Sequence, residues 1–164
     1  ITLSVIGIEV ARRHGIELVG IGMPGHFLIG DRTTGRFIDA FDGGRGFGPD
    51  GARVLFHSLH GPDTVFEPTY LDATSATMIV IRVLNNLRGA HLRRGDRGGV
   101  ARALRLQAAL PGGSVPAQRE LAGVLAADGR FLEAADVYES LAIDDEAAAE
   151  EHQLAALRLR ARLN

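Results

Sequence analysis

Residues 24–44 read Pro24-Gly25-His26-Phe27-Leu28-Ile29-Gly30-Asp31-Arg32-Thr33-Thr34-Gly35-Arg36-Phe37-Ile38-Asp39-Ala40-Phe41-Asp42-Gly43-Gly44. Two short apolar runs flank a cluster of turn-forming residues at 31–35, which is the pattern of a β-hairpin. The spacing predicts strands over residues 25–29 and 36–41, and a further strand over 16–21 set off by Gly22-Met23-Pro24. A register centred on Thr33 places His26 opposite Asp39, where Cβ atoms lie ~4.5–5.5 Å apart and a carboxylate reaches an imidazole nitrogen. Such a pair orients and polarises a histidine. The competing reading is structural: Asp39 ends a strand and His26 is a satisfied core residue.

Upstream of the hairpin, Leu3, Val5, Ile6, Ile8, Val10 and Ala11 surround most of a helical wheel over residues 2–13. This predicts a largely buried helix, ended by His14-Gly15. Downstream, residues 45–70 are rich in Gly and Pro, with one short helix expected around 54–59. From Ser75 onward the apolar spacing is helical in five stretches, 75–92, 99–110, 116–127, 131–142 and 146–163, separated by Gly and Pro signals. Gly95 and Gly129 are 34 residues apart, as are Val100 and Ala134, Leu104 and Tyr138, and Leu87 and Leu121. That is the period of tetratricopeptide repeats. In the second copy Leu121-Ala122, Leu125, Gly129, Ala134 and Tyr138 fill the small and large contact positions of such a repeat. In the first, His91 replaces an apolar residue, which makes that copy degenerate.

Composition excludes several chemistries. No cysteine is present, so a thiolate nucleophile, a disulfide and Cys-ligated zinc are absent from these 164 residues. All 18 basic residues are Arg, which removes lysine Schiff-base chemistry. They are scattered among acids through both halves rather than gathered on one face, so no nucleic-acid partner is expected. No apolar stretch approaches the ~18 residues of a membrane span and no signal peptide is visible, so a cytoplasmic location and no membrane partner are expected. An apolar run begins at Ile1 itself, which reads as an N-terminally truncated domain.

A helix followed by a strand, the Pro24-Gly25-His26-Phe27-Leu28-Ile29 strand and the Phe37-Ile38-Asp39-Ala40-Phe41-Asp42-Gly43-Gly44 strand resembles the core of the transglutaminase-like superfamily. The triad of that superfamily runs from a Cys on a helix to a His and an Asp on successive strands. More closely, Ile1-Thr2-Leu3-Ser4-Val5-Ile6, Glu9-Val10-Ala11-Arg12-Arg13, Pro24-Gly25-His26-Phe27-Leu28, Ile38-Asp39 and Phe41-Asp42-Gly43-Gly44 are similar to the bacterial SirB family. In that family a transglutaminase-like domain precedes tetratricopeptide-like helices, and Arg82-Val83-Leu84-Asn85-Asn86-Leu87 resembles its linker helix. Ala40 departs from the common family form, which has Pro there.

The resemblance implies an α+β fold: a partial transglutaminase/papain-like core, a helix packed on an antiparallel sheet, over residues 1–73, then an all-α tetratricopeptide-like segment over 74–164. It implies His26 and Asp39 as the catalytic positions, with the start of the first helix pointed at them. The cysteine belongs at or just before Ile1, and Thr2 and Ser4 are the nearest hydroxyls, whose ordinary role is to cap a helix start. SirB members commonly lack the cysteine. The implied function is therefore a non-catalytic binding or regulatory module that presents its cleft and helical repeats to a protein or peptide partner, without cofactor or metal. The alternative is a cysteine-dependent acyl-transfer enzyme, of amidase, protease or transglutaminase type, whose nucleophile lies upstream.

Three other groups suggest sites and have plainer explanations. His57 and His60, spaced i, i+3, would make three nitrogen ligands with His26, but nothing in the sequence places the two regions together. The glycines of 43–48 lack the following Lys of a phosphate loop, and no helix is expected to open directly behind them. Asp144, Asp145, Glu146, Glu150 and Glu151 start a helix that Arg158, Arg160 and Arg162 end, the distribution the helix dipole favours.

Overall fold

A computed structural model describes residues 1–111 and 115–163. Gly112, Gly113, Ser114 and Asn164, which the sequence reading counts within the helical region, lie outside the described residues. The architecture is α+β, and the chain divides into two compact units, Ile1–Ile79 and Val80–Asn164. In the first, helix α1 (Thr2–Arg13) leads into an antiparallel meander of β1 (Leu18–Ile21), β2 (Leu28–Asp31), β3 (Arg36–Asp39) and β4 (Arg45–Phe47), and then into α2 (Pro49–His60).

The β2–β3 hairpin pairs Ile29 with Ile38, Gly30 with Phe37 and Asp31 with Arg36. Asp31 holds its loop: Oδ1 accepts from the Thr33 amide at 2.8 Å, Oδ2 from the Thr34 hydroxyl at 2.6 Å, and its carbonyl from the Gly35 amide at 2.9 Å. The resulting four-residue loop moves the register by two residues from the expected one. Asp39 therefore aligns with Leu28, and His26 lies before the strand instead of within it. A shift of two leaves every side chain on its intended face, because strand side chains alternate with period two.

The sheet has two distinct faces. Leu28 and Phe37 join Ile21, Met23, Ala52 and Phe56 in the core that α2 covers. Ile29 turns to the other side, where a Cβ added to Gly7 of α1 would lie 3.3 Å from Ile29 Cδ1. Only Ser4 and Ala11 of α1 are buried, while Leu3, Ile6 and Val10 are more than half exposed. The expectation of a largely buried helix thus fails. Ser4, Gly7 and Ala11, spaced i, i+3, i+7, form a strip of small residues that lets the helix axis approach the sheet, and the aliphatic residues point away from it. Ile1 is the N-cap and no side chain caps the helix, so neither Thr2 nor Ser4 serves in that role.

Residues 45–60 also differ from the reading. Arg45–Phe47 pairs with β3, and α2 opens at Pro49 directly behind the glycines, with Gly48 as N-cap. Proline is tolerated there because the first helical N–H has no intrahelical partner. On the opposite edge, the Thr74 amide donates to Gly20 O at 2.8 Å and Ala73 bridges Ile21, which covers β1.

The remaining helices are α3 (Ala76–Arg93), in whose first turn the division between units falls, α4 (Arg97–Ala108), α5 (Val115–Ala127), α6 (Phe131–Asp144) and α7 (Ala149–Arg160). From α4 to α7 each helix packs on the next around Val100, Leu104, Leu121, Leu125 and Leu159, with Ala101, Ala134, Ala135 and Ala156 at the close approaches. One helix ending recurs 34 residues apart. Gly95 and Gly129 have φ of 69° and 74°, and the amides just after them donate to the carbonyls of His91 at 3.0 Å and Leu125 at 2.9 Å. Both are Schellman closures, which require the left-handed residue that glycine supplies without strain.

Asp96 links two helices of this unit. Its Oδ1 accepts from the Gly99 amide at 2.8 Å, capping α4, and its Oδ2 holds His91 Nδ1 at 2.8 Å. The imidazole consequently lies on Gly99, where an added Cβ would meet Nδ1 at 2.1 Å. Gly99→Ala should lower unfolding free energy in urea by about 1–3 kcal/mol through overpacking. Adding His91→Ala should recover part of that loss. If the two substitutions are additive within ~0.5 kcal/mol, the packing account is wrong.

Candidate functional site

Residues 23–26 form a tight turn. The His26 amide donates to Met23 O at 3.1 Å, Pro24 occupies the second position, and Gly25 the third with φ of 75°. These are the requirements of a type II turn, and they place His26 at its exit, two residues before β2. Asp39, the last residue of β3, comes to meet it. His26 Nε2 and Asp39 Oδ2 are 2.9 Å apart, with the imidazole 18% and the carboxylate 5% exposed.

Asp39 is fixed from its other side as well. Oδ1 accepts from the amides of Phe41 at 2.9 Å and Asp42 at 3.2 Å, and its carbonyl accepts from Gly44 at 2.9 Å. Burial pushes the Asp39 carboxyl up, but the His26 hydrogen bond, the Phe41 amide, the His26 charge and the Asp42 amide together outweigh it and hold the group below the usual aspartate range. The ring of Phe41, almost wholly exposed, stands edge-on to His26 with centroids 6.3 Å apart.

Strand alternation puts Asp39 on the Phe37 side of the sheet, the side α2 covers. A cavity of about 360 Å³ lies there, lined by Asp39, Asp42, Arg45, Phe47, Val54 and Leu55 among others. Ser4 is buried in α1, which packs on the Ile29 side, and Thr2 is exposed.

The histidines of α2 are placed differently from their sequence reading. His60 reaches the dyad's own turn, its Nε2 lying 3.0 Å from Pro24 O, while His57 Nδ1 is 3.3 Å from Gly61 O. The regions around 26 and 60 are therefore together, though no group of three potential ligands is placed to hold a metal ion among the described residues. No helix among them is long and apolar enough to cross a membrane. In the acidic run, Asp145 is taken up by Arg119 at 2.7 Å and by buried His152 at 3.1 Å, while Glu150 and Glu151 lie in the first turn of α7 and Arg158 and Arg160 in its last. Arg45, which lines the cavity beside Asp39, is a site residue that sequence reasoning missed, and His60, considered there only as a metal ligand, turns out to contact the turn that carries His26. The Met-Pro-Gly-His turn signature offered the one usable signal, because it stops the strand short of His26.

A family model described as transglutaminase-like superfamily matches residues 1–85. The chain is 34% identical over 96 residues to a UPF0162 protein of Pseudomonas aeruginosa, covering 58% of this chain and 35% of that one. It is 36% identical over 104 residues to a UPF0162 protein of Xylella fastidiosa, covering 59% and 37%. The chain thus spans little more than a third of the length of these curated relatives. No solved structure matches it.

Removing the Asp39 carboxylate orphans two amides and an imidazole, so Asp39→Ala should lower stability by at least ~1–3 kcal/mol. The pH dependence has a definite sign. A carboxyl lowered on folding contributes stability that is complete above its unfolded value near ~3.9 and is lost as pH falls through the folded-state value. Denaturation curves from pH 7 downward should therefore show an acid-side loss in the native protein that is reduced in Asp39→Asn. Parallel pH profiles would contradict this assignment.

Proposed function

The chain belongs to the transglutaminase-like superfamily, and from that premise we propose that it is a non-catalytic binding or regulatory module of the SirB type. The absence of cysteine from a segment that otherwise keeps the His26–Asp39 pair carries this reading. An alcohol is a far poorer nucleophile than a thiolate unless a base and an oxyanion hole activate it, and Thr2 and Ser4 are the only hydroxyls on α1. Asp39 meanwhile spends one oxygen entirely on backbone amides, a structural task that persists without catalysis.

The binding surface is proposed to include the helices after residue 74, read as tetratricopeptide-like repeats. Their recurrence of Gly95 and Gly129 in the same Schellman closure supports this, and such arrays present extended surfaces to peptides and proteins. The partner is a protein or peptide, and the location is cytoplasmic. A second reading, a cysteine-dependent acyl-transfer enzyme, is favoured by one observation: the 2.9 Å contact leaves His26 partly accessible and oriented as a general base would be. Its cysteine would lie in sequence outside these 164 residues.

Affinity capture with the intact protein tests the first reading: deleting residues 98–164 should reduce recovery of a specific partner at least severalfold. Retention of every partner after the deletion would refute the role given to the helices.

A further inference from the structure

We infer that His60, on the last turn of α2, is the positioning residue that holds the Met23–His26 turn and thereby aims His26 at Asp39. This goes beyond the functional proposal and holds whether the pair is catalytic or vestigial. Pro24 O can only accept a hydrogen bond, so the 3.0 Å contact requires a proton on His60 Nε2. The contact spans 36 residues of sequence and ties the end of α2 to the turn itself.

Two further observations show that the two parts are fitted to each other. A Cβ added to Gly25 would lie 2.8 Å from His60 Nε2 and 3.1 Å from its Cε1, so the turn needs glycine for the approach of this ring as well as for its φ. On its other side the His60 ring rests on Phe56 with centroids 4.6 Å apart, and Phe56 is buried against Phe66 and Tyr70. A continuous path therefore runs from the aromatic core through His60 to the Pro24 carbonyl, the turn and His26. Pro24 and Gly25 define the turn's shape, and His60 fixes its position relative to the sheet.

The test uses the full chain and two variants that divide the histidine's properties. His60→Phe keeps an aromatic ring against Phe56 and loses the donor, while His60→Gln keeps a donor at the Nε2 position and loses the ring. The readouts are hydrogen exchange of the His26 amide, which closes the turn, and the NMR signal of the His26 Nε2 proton facing Asp39. His60→Phe should speed exchange of the His26 amide by about 2- to 10-fold, the worth of one net hydrogen bond, and weaken the Nε2 signal. His60→Gln should restore both, and ladder amides of β2 and β3 should be unaffected in each variant. Unchanged His26 signals in His60→Phe, equal acceleration across the ladder, or failure of Gln to restore the signals would each overturn the proposal. A measurement on the native protein stands independently of variant folding: long-range proton–nitrogen correlation must show His60 protonated at Nε2, and a neutral Nδ1–H tautomer would sink it.

Discussion

A carboxylate removed from water must be given donors, and Asp39 is given three. Leaving such a group buried and unpaired would cost several kcal/mol, so its surroundings are constrained to supply His26 Nε2 and the amides of Phe41 and Asp42. Several local features follow from that requirement. β3 stops at Asp39 because the chain folds back to offer its own amides. The tight return through Gly43 and Gly44 delivers β4 against β3, and β4 delivers the start of α2 through Gly48. The third donor brings in the turn before β2, so one carboxylate joins both ends of the hairpin.

The hairpin was legible in the sequence because period-two alternation about a polar cluster is a strong local signal. Its register was not, because the Asp31 side chain builds a longer loop than the one centred on Thr33, and that depends on which hydroxyl and amide it captures. The error was one of two residues, so face assignments survived and His26 still reached Asp39. α1 shows a different limit of periodicity. Its bounds follow from the sequence, but the wheel marks where apolar residues lie, whereas the contact face is chosen by Ser4, Gly7 and Ala11, whose small size permits close approach. β4 and the first turn of α2 were hidden by Gly and Pro, which suppress strand and helix signals even where a cap glycine and a first-position proline are compatible with structure.

The later helices were legible because small and large residues recur where helices meet, and because a Schellman glycine is a discrete backbone requirement rather than a preference. Their surface is tied together by arginine: Arg105 to Glu133 at 2.6 Å, Arg119 to Asp145 at 2.7 Å, and Arg160 to both Asp136 and Glu139 at 2.9 Å. Exposed pairs such as Arg105–Glu133 and Arg160–Glu139 contribute at most ~1 kcal/mol each, so the alanine and leucine core carries the unit's stability. Fold and function remain separate questions in this family. The superfamily match covers residues 1–85, whereas the pairing of His26 with Asp39 is read from the geometry of this chain alone.

The proposal that the His26–Asp39 pair orients structure without performing acyl transfer is tested most directly by trying to trap a covalent intermediate. The intact protein would be incubated with an activated acyl ester and with a thiol-directed electrophile, and its mass measured. The account predicts no stoichiometric adduct, and the same background labelling in the native protein and in His26→Ala. A single adduct on one side chain that forms in the native protein and disappears in His26→Ala would contradict it and establish the catalytic reading instead.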